Sequence, residues 1–303
     1  MTIGIIQSFI QTSDLFFEVT TNQTNLDLRT LIGDTLFNSA YRKRVIIPSA
    51  VTVGSETTAN AAIKIPTGLG GSLFIDNYGS IQGAGGAAGG SGGDAILAQS
   101  TCTIENKPTG TIYAGGGGGG TGGTGGQGGP GEIPGPVTST PFFTGCQPSA
   151  CPVQCPPGTA VPNACVSSVP VCGAVAARFR RACTSTTTGP PTPTTGGAGG
   201  AGGGGGVGRG YNQSPTTGST GTAGSAGGTN AGTGGTGGTG GTGGDWGTSG
   251  NSGSTGSTGS NGNVGAGSAG ASGAAGGSAG YYVNGLSAYV TLINNGTVAG
   301  LTN

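Results

Sequence analysis

The chain has 303 residues, 74 of them glycine, with only 7% charged residues, no histidine and a formal net charge of zero. Neutrality leaves no electrostatic footprint for nucleic acid, and the lack of histidine removes the usual base for a Ser or Cys nucleophile. No run approaches the roughly 20 apolar residues of a membrane span, and Met1–Val19 has no basic start of a secretion signal, so synthesis in a cytoplasm is expected.

Large apolar residues gather in 1–114 and 281–303, so the two ends can bury a core and the centre cannot. Residues 1–82 read as a small β-rich base. Asn25 is placed to cap a short helix in which Leu28, Leu31, Ile32 and Leu36 fall at helical spacing. Short β-like runs follow at Val45–Ile47, Val51–Val53, Ala62–Ile65 and Leu73–Ile75, each bounded by Pro, Gly or Asn. Arg42-Lys43-Arg44 and Arg178, Arg180 and Arg181 read as small solvated clusters.

One motif recurs three times: Ile75–Gly83, Ile104–Ile112 and Leu292–Gly300. Each copy is an apolar run, an Asn-containing turn with Gly, then another apolar residue. Asn and Gly suit φ > 0 in a tight turn, so each copy reads as a hairpin or a strand corner. The first two copies run into the glycine tracts Gly83–Gly93 and Gly115–Gly129, and the third lies near the C-terminus. Apolar turns on both sides of the glycine block suggest one closed unit whose ends meet.

Residues 130–195 are a Pro- and Cys-rich insertion. Cys146, Cys151, Cys155, Cys165, Cys172 and Cys183 crowd into it, while Cys102 stands apart. An even set among many prolines reads as a disulfide-stapled loop, and six cysteines allow 15 connectivities. A zinc site is disfavoured because there is no C-x-x-C pair and no histidine. Disulfides without a secretion signal fit a particle assembled in a cytoplasm and oxidised after release.

From Gly232 to Gly265 every third residue is glycine. A period of three matches neither α-helix nor strand but an extended threefold helix of the polyproline II type. From Gly232 to Gly243 the triplets are Gly-Thr-Gly, leaving two bare faces. From Gly247 to Val264 every triplet but the last is Gly-polar-polar, leaving one. The first half should lie inside a bundle and the second outside, with a reversal near Asp245-Trp246, because an unbroken run would reach roughly 105 Å. Disorder and a collagen triple helix are the competing readings. Register held through the run argues against the first, and the absence of proline from Gly232 to Gly276 argues against the second.

No paired carboxylates, phosphate loop or metal cluster is visible, so an enzyme is not expected, nor a cofactor or metal. A rigid scaffold with variable loops is suited to binding. The scarce aromatics beside polar groups mark candidate receptor-binding loops: Phe142-Phe143, Tyr211-Asn212-Gln213 and Asp245-Trp246. Each also has a bland alternative, a ring packed on the scaffold or a solvated turn.

The turn Ile104–Ile112 leading into Gly115–Gly120, the later glycine tracts and the closing Tyr281–Gly300 segment resemble the glycine-rich host-recognition adhesins of bacteriophage tail fibres, those of T-even-like phages most clearly. Asn25–Leu31 and Val51–Ser55 also resemble segments of such proteins. The resemblance implies a polyglycine II sandwich whose distal loops bind a bacterial surface receptor, with the N-terminal part attached to the fibre. The insertion at 130–195 departs from that pattern. The expected architecture is therefore mostly irregular and β: a β-rich attachment base (1–82) and a polyglycine II domain (83–303) that carries the stapled insertion. The expected function is a receptor-binding adhesin of a virion tail tip or fibre. Its partners would be an outer-membrane protein or polysaccharide and other tail or fibre proteins, without nucleic acid or membrane insertion. A non-adhesive fibre or capsid-decoration protein is the alternative, and an ice-binding protein a third.

Overall fold

The computed structural model describes residues 14–143, 159–160, 165–166 and 180–303. Short apolar-alternating runs interrupted by bends give many brief strands. β1 (Leu15–Glu18), β2 (Gln23–Thr24) and β3 (Leu26–Asp27) make one coil, and β4 (Lys43–Ile47), β5 (Thr52–Gly54) and β6 (Ile63–Ile65) the next. β7 (Leu73–Asn77), β8 (Ser80–Gln82) and β9 (Ile96–Ala98) make a third, and β10 (Cys102–Asn106) and β11 (Thr111–Tyr113) open a fourth. The chain then leaves for its glycine-rich region. That region carries β12 (Gly131–Ile133), β13 (Val137–Phe143), β14 (Thr159–Ala160), β15 (Cys165–Val166), β16 (Arg180–Thr188) and β17 (Thr192–Thr194). On its return β18 (Val283–Asn284) completes the fourth coil, and β19 (Val290–Asn294) and β20 (Thr297–Ala299) begin a fifth.

Equivalent strands stack in parallel into three sheets, β1-β4-β7-β10-β19, β2-β5-β8-β11-β20 and β3-β6-β9-β18. The chain visits the sheets in turn, so the base is a three-sided parallel β-helix. Val45, Ile75, Ile104 and Leu292 share one register column. Val53, Ile81, Ile112 and Val298 share another, and Ile63, Ile96 and Val283 a third. These columns fill the core, which is closed by residues on both sides of the glycine region. The sheets therefore take in residues 96–113 and 283–299 as well as strands from the first 82. Among the described residues the fold is β-rich with few helices, and no helix is long and apolar enough to cross a membrane.

Three expectations about the base are corrected. The helix cap is Asp27, whose side chain accepts from the Arg29 and Thr30 N–H groups, not Asn25. The helical stretch is also split into α1 (Leu28–Ile32) and α2 (Asp34–Phe37) by Gly33 at φ 86°. Lys43 is not solvated: it is fully buried, and its ammonium donates to the carbonyls of Ser39, Tyr41 and Gly70 at 2.8, 2.9 and 2.7 Å. Burial pushes its pKa down. Arg44 and Lys107 pair with Asp76 on the outer side of the first sheet. There burial raises the Asp76 carboxyl, but the Arg44 hydrogen bond and the two cations outweigh it and hold the pKa low.

The thrice-repeated motif is a corner between the first and second sheets, not a hairpin. Its corner glycines, Gly79, Gly110 and Gly296, are not at φ > 0. They are there because the coils stack closely: a Cβ on Gly79 would sit 2.3 Å from the Val51 carbonyl oxygen, and one on Gly110 would sit 2.2 Å from that of Asn77. The asparagines form a ladder through the corner. Asn77 Nδ2 donates to Asn106 Oδ1 and Asn106 Nδ2 to Asn294 Oδ1, both at 2.8 Å. Below Asn77 the register residue is Ile47, so the ladder ends there and Asn77 Oδ1 has no partner. Replacing Asn106 by Leu strands amide groups on both neighbours. It is expected to cost about 2–4 kcal/mol in chemical denaturation. Asn294→Ala, at the exposed end of the ladder, should cost less than about 1 kcal/mol. Equal costs at the two positions would mean that the ladder is not a coupled unit.

Excursions leave the β-helix between its second and third sheets, and they grow coil by coil: residues 55–62, then 83–95, then 114–282. The last holds extended segments joined sideways by main-chain hydrogen bonds at every third residue. Segment 114–130 is central. Gly119, Gly122, Gly125 and Gly128 donate to Gly206, Gly203, Gly200 and Gly197, each at 2.8 Å. Gly120, Gly123 and Gly126 donate to Asn251, Ser254 and Ser257 at 2.9 Å. The same segment accepts from Gly235, Gly238 and Gly241 and from Ala271 and Ala274. The number of bare faces follows the number of neighbours. Gly115–Gly120 are glycine at every position where the 83–93 hairpin also packs against them, and side chains begin at Thr121, just past the hairpin turn at Ala88-Gly89.

The chain reverses at Asp245–Gly247, and segment 233–242 pairs antiparallel with 251–260. The glycines of the first are largely buried, and most of the second is exposed. Peripheral segments add a device absent from the glycine count. Where an N–H lacks a main-chain acceptor, the hydroxyl just after a neighbouring glycine supplies one, as Ser254, Ser257 and Ser260 do for Thr239, Thr236 and Thr233.

Candidate functional site

The seven candidate receptor-binding residues fall at opposite ends of the glycine region. Segment 114–130 runs away from the β-helix, 196–209 returns, 215–227 runs out and 231–244 returns. The turns at 210–213 and 245–247 therefore abut the base. Tyr211 lays its ring over Gly54, where any Cβ would meet the ring carbons at 2.1 Å, and its N–H donates to the Gly83 carbonyl. Gln213 donates to the Gly208 carbonyl, and Asn212 is exposed in the αL turn at φ 55°. Trp246 stacks on Tyr113 of β11, with centroids 5.5 Å apart. The Arg209 guanidinium lies 5.5 Å over the Trp246 ring and 3.1 Å from the Asp245 carboxylate. Tyr211 and Trp246 form a joint between base and glycine region, with Arg209 and Asp245 around the Trp246 ring. Asp94 completes that joint, accepting from the Tyr281 N–H and the Asn284 amide at 2.9 and 2.7 Å.

Phe142 and Phe143 lie at the other end, on β13. β12 pairs with β17, and β13 with β16 so that Phe142 faces Cys183 and Phe143 faces Ala182 in register. The two antiparallel pairs make a ribbon that leaves the end of the glycine segments. Two asparagines missed in the sequence reading hold its root. Asn263 both donates to the Glu132 carbonyl and accepts from the Glu132 N–H, at 3.0 and 2.8 Å. Asn230, at φ 61°, donates to the same carbonyl at 3.1 Å. Thr194 is tied to the Thr229 carbonyl at 2.7 Å. The signal for them was an Asn beside each shift of glycine register: Asn230 between Gly228 and Gly232, and Asn263 just before the shift from Gly265 to Gly267.

Cys146, Cys151, Cys155 and Cys172 lie outside the described residues, and Cys165 and Cys183 sit on β15 and β16. Cys102 is buried in the base and unpaired, and burial pushes its thiol up to about 12. Among the described residues no cluster of His, Cys, Asp and Glu could hold a metal ion. On the base, Asp76 and Glu105 are engaged by Arg44 and Lys107, and the glycine segments are almost without charge.

A laterally bonded set of segments, seated on a β-helix and carrying a ribbon at its far end, is a rigid scaffold of the kind that holds binding loops. The family model for the phage tail fibre adhesin Gp38 matches residues 14–158, from β1 into the insertion. The match covers just under half of the chain, and it supports a phage tail-fibre adhesin, a receptor-binding protein of a phage tail. No curated protein and no solved structure matches it. The family points to a non-enzymatic role, a place on the virion tail, and partners that are host receptor and tail components in general.

Proposed function

We propose that the glycine region is a polyglycine II bundle that works as a stiff shaft, presenting the 130–195 insertion to a receptor on the bacterial surface. The β-rich base that begins in residues 1–82 attaches it to the fibre. The three-residue repeat of lateral hydrogen bonds carries this reading. Ordering glycine costs about 0.5–1 kcal/mol per residue more than alanine. Lateral bonds, each worth about 0.5–1.5 kcal/mol net, offset that when they form together. Phe142 and Phe143 are the receptor-contacting candidates at the far end. Tyr211, Asn212, Gln213, Asp245 and Trp246 are placed to fix the shaft on its base. The insertion's cysteines, Cys146 through Cys183, are proposed to staple it with disulfides. The protein performs no catalysis in this reading.

Adhesion is tested directly. Purified full-length protein is expected to bind host cells and to block adsorption of the parent phage in a concentration-dependent way. Protein that stays folded yet neither binds cells nor competes with the phage would return the chain to a purely structural role in the virion.

A further inference from the structure

The 83–93 hairpin fills a lane along the central segment for only part of its length. Gly86 and Gly89 donate to the Gly116 and Gly119 carbonyls at 2.9 and 2.8 Å, and Gly115 and Gly118 donate back to Gly93 and Gly90. The lane's walls are the 196–208 segment, where Gly208 donates to Gly86, and the 266–280 segment, where Ser278 accepts from Gly92. Past Gly89 the hairpin has turned back, but the lane runs on. Its continuing main-chain groups are open: among the described residues the Thr121 and Thr124 N–H groups have no acceptor, and the Gly122 and Gly125 carbonyls have no donor. The floor carries Thr121, Thr124 and Gln127, all exposed. Its far end widens into a cavity of about 500 Å³ between Gln127, Pro130, Pro193, Thr195 and Ser268.

The chemistry of the lane narrows its occupant. Another glycine-rich chain is excluded by sterics. Where the hairpin fills the lane, a Cβ on Gly115 or Gly118 would lie 1.7 Å from the hairpin carbonyl oxygens of Ala84 or Ala87. Threonines at 121 and 124 put side chains into that same space. A charged ligand finds no counterpart, because residues 115–130, 196–208 and 266–280 contain no Asp, Glu, Lys or Arg. What remains on offer is a row of hydroxyls, an amide and open main-chain donors and acceptors at a pitch of about 9 Å, interleaved with Gly, Ala and Pro surface. A chain of hydroxyl-bearing rings with apolar faces meets both kinds of surface. We propose that this lane binds a neutral saccharide chain of the bacterial surface. The proposal rests on the adhesin reading and adds a ligand class and a site on the flank of the shaft, separate from the ribbon.

The test uses the full-length protein on a printed array of neutral and anionic bacterial oligosaccharides, with adsorption to host cells measured in parallel. Wild type is expected to bind neutral members. Thr124→Tyr, which fills the lane from an exposed position, should abolish that binding. Gln127→Ala should weaken it about tenfold. Thr255→Ala, exposed on the 251–260 segment outside the lane, should leave it unchanged. Cell binding without array binding, array binding confined to anionic members, or array binding indifferent to Thr124→Tyr overturns the site while adhesion stands. Loss of cell binding by the wild type overturns adhesion itself.

Discussion

Gly123→Ala is expected to unfold the glycine region, whereas Gly204→Ala, the same change in a neighbouring segment, should make it more stable. A Cβ at 123 would lie 1.8 Å from the Ala271 carbonyl oxygen and 2.6 Å from its carbon. Both atoms are main chain in a segment bonded on its other side, so neither can step aside. Relief requires the 114–130 and 266–280 segments to part, which breaks the Ala271 to Thr124 bond and strains the Gly123 to Ser254 bond. Overpacking together with lost hydrogen bonds puts the cost at about 3 kcal/mol or more. At Gly204 the nearest atom to an added Cβ is Ser219 Oγ, at 3.6 Å, an ordinary contact, and φ is not positive there. The methyl then acts mainly on the unfolded chain and should add about 0.4–1 kcal/mol. Calorimetric melting of the two variants beside wild type reads both effects. A Gly123→Ala protein that melts with the wild type would mean that the segments are not in van der Waals contact, and a merely disordered tract would be indifferent to both changes.

Much of the glycine region was legible because each triplet reports its own surroundings. Bare faces in Gly-Thr-Gly and Gly-polar-polar triplets correspond to the sides on which Gly235, Gly237 and Gly253 meet neighbouring main chain. The reversal at Asp245-Trp246 followed from the same pattern. The end at which that turn lies was also derivable, although composition does not show it. Segments alternate in direction from Ala114, so the turns after an even number of segments return to the base, and 210–213 and 245–247 are such turns. Aromatic residues there find ring and glycine surface on the β-helix, which is why Tyr211 and Trp246 pack inward.

The β-helix was harder to see. Its strands are two to five residues long, too short for periodicity to declare an architecture. The repeat at Ile75, Ile104 and Leu292 was visible, but its partners stack across 29 residues in one case and 188 in the other. The second separation contains the entire glycine excursion. Long-range pairing of this kind leaves a local signature only at the corners, in Gly79, Gly110 and the asparagines beside them. Those corners read equally well as hairpins until the parallel register is known.

Removing the outer ribbon should separate reading from scaffolding. Pro136 and Gly189 face one another, with the Gly189 N–H donating to the Pro136 carbonyl at 3.0 Å. An Asn-Gly pair in place of residues 137–188 can therefore close the chain there as a two-residue turn. Everything that anchors the ribbon root remains: β12 on β17, the Glu132 peptide between Asn230 and Asn263, and Thr194 on the Thr229 carbonyl. Closing the shorter loop costs up to about 2–3 kcal/mol less entropy, so the melting temperature should hold or rise. Adsorption to host cells is expected to fall at least about tenfold, the loss that follows when aromatic anchors such as Phe142 and Phe143 leave an interface. Oligosaccharide binding in the flank lane should survive, since Thr121, Thr124 and Gln127 are untouched. Undiminished adsorption by the shortened protein would take the receptor site away from the ribbon and place it on the turns or flank of the shaft.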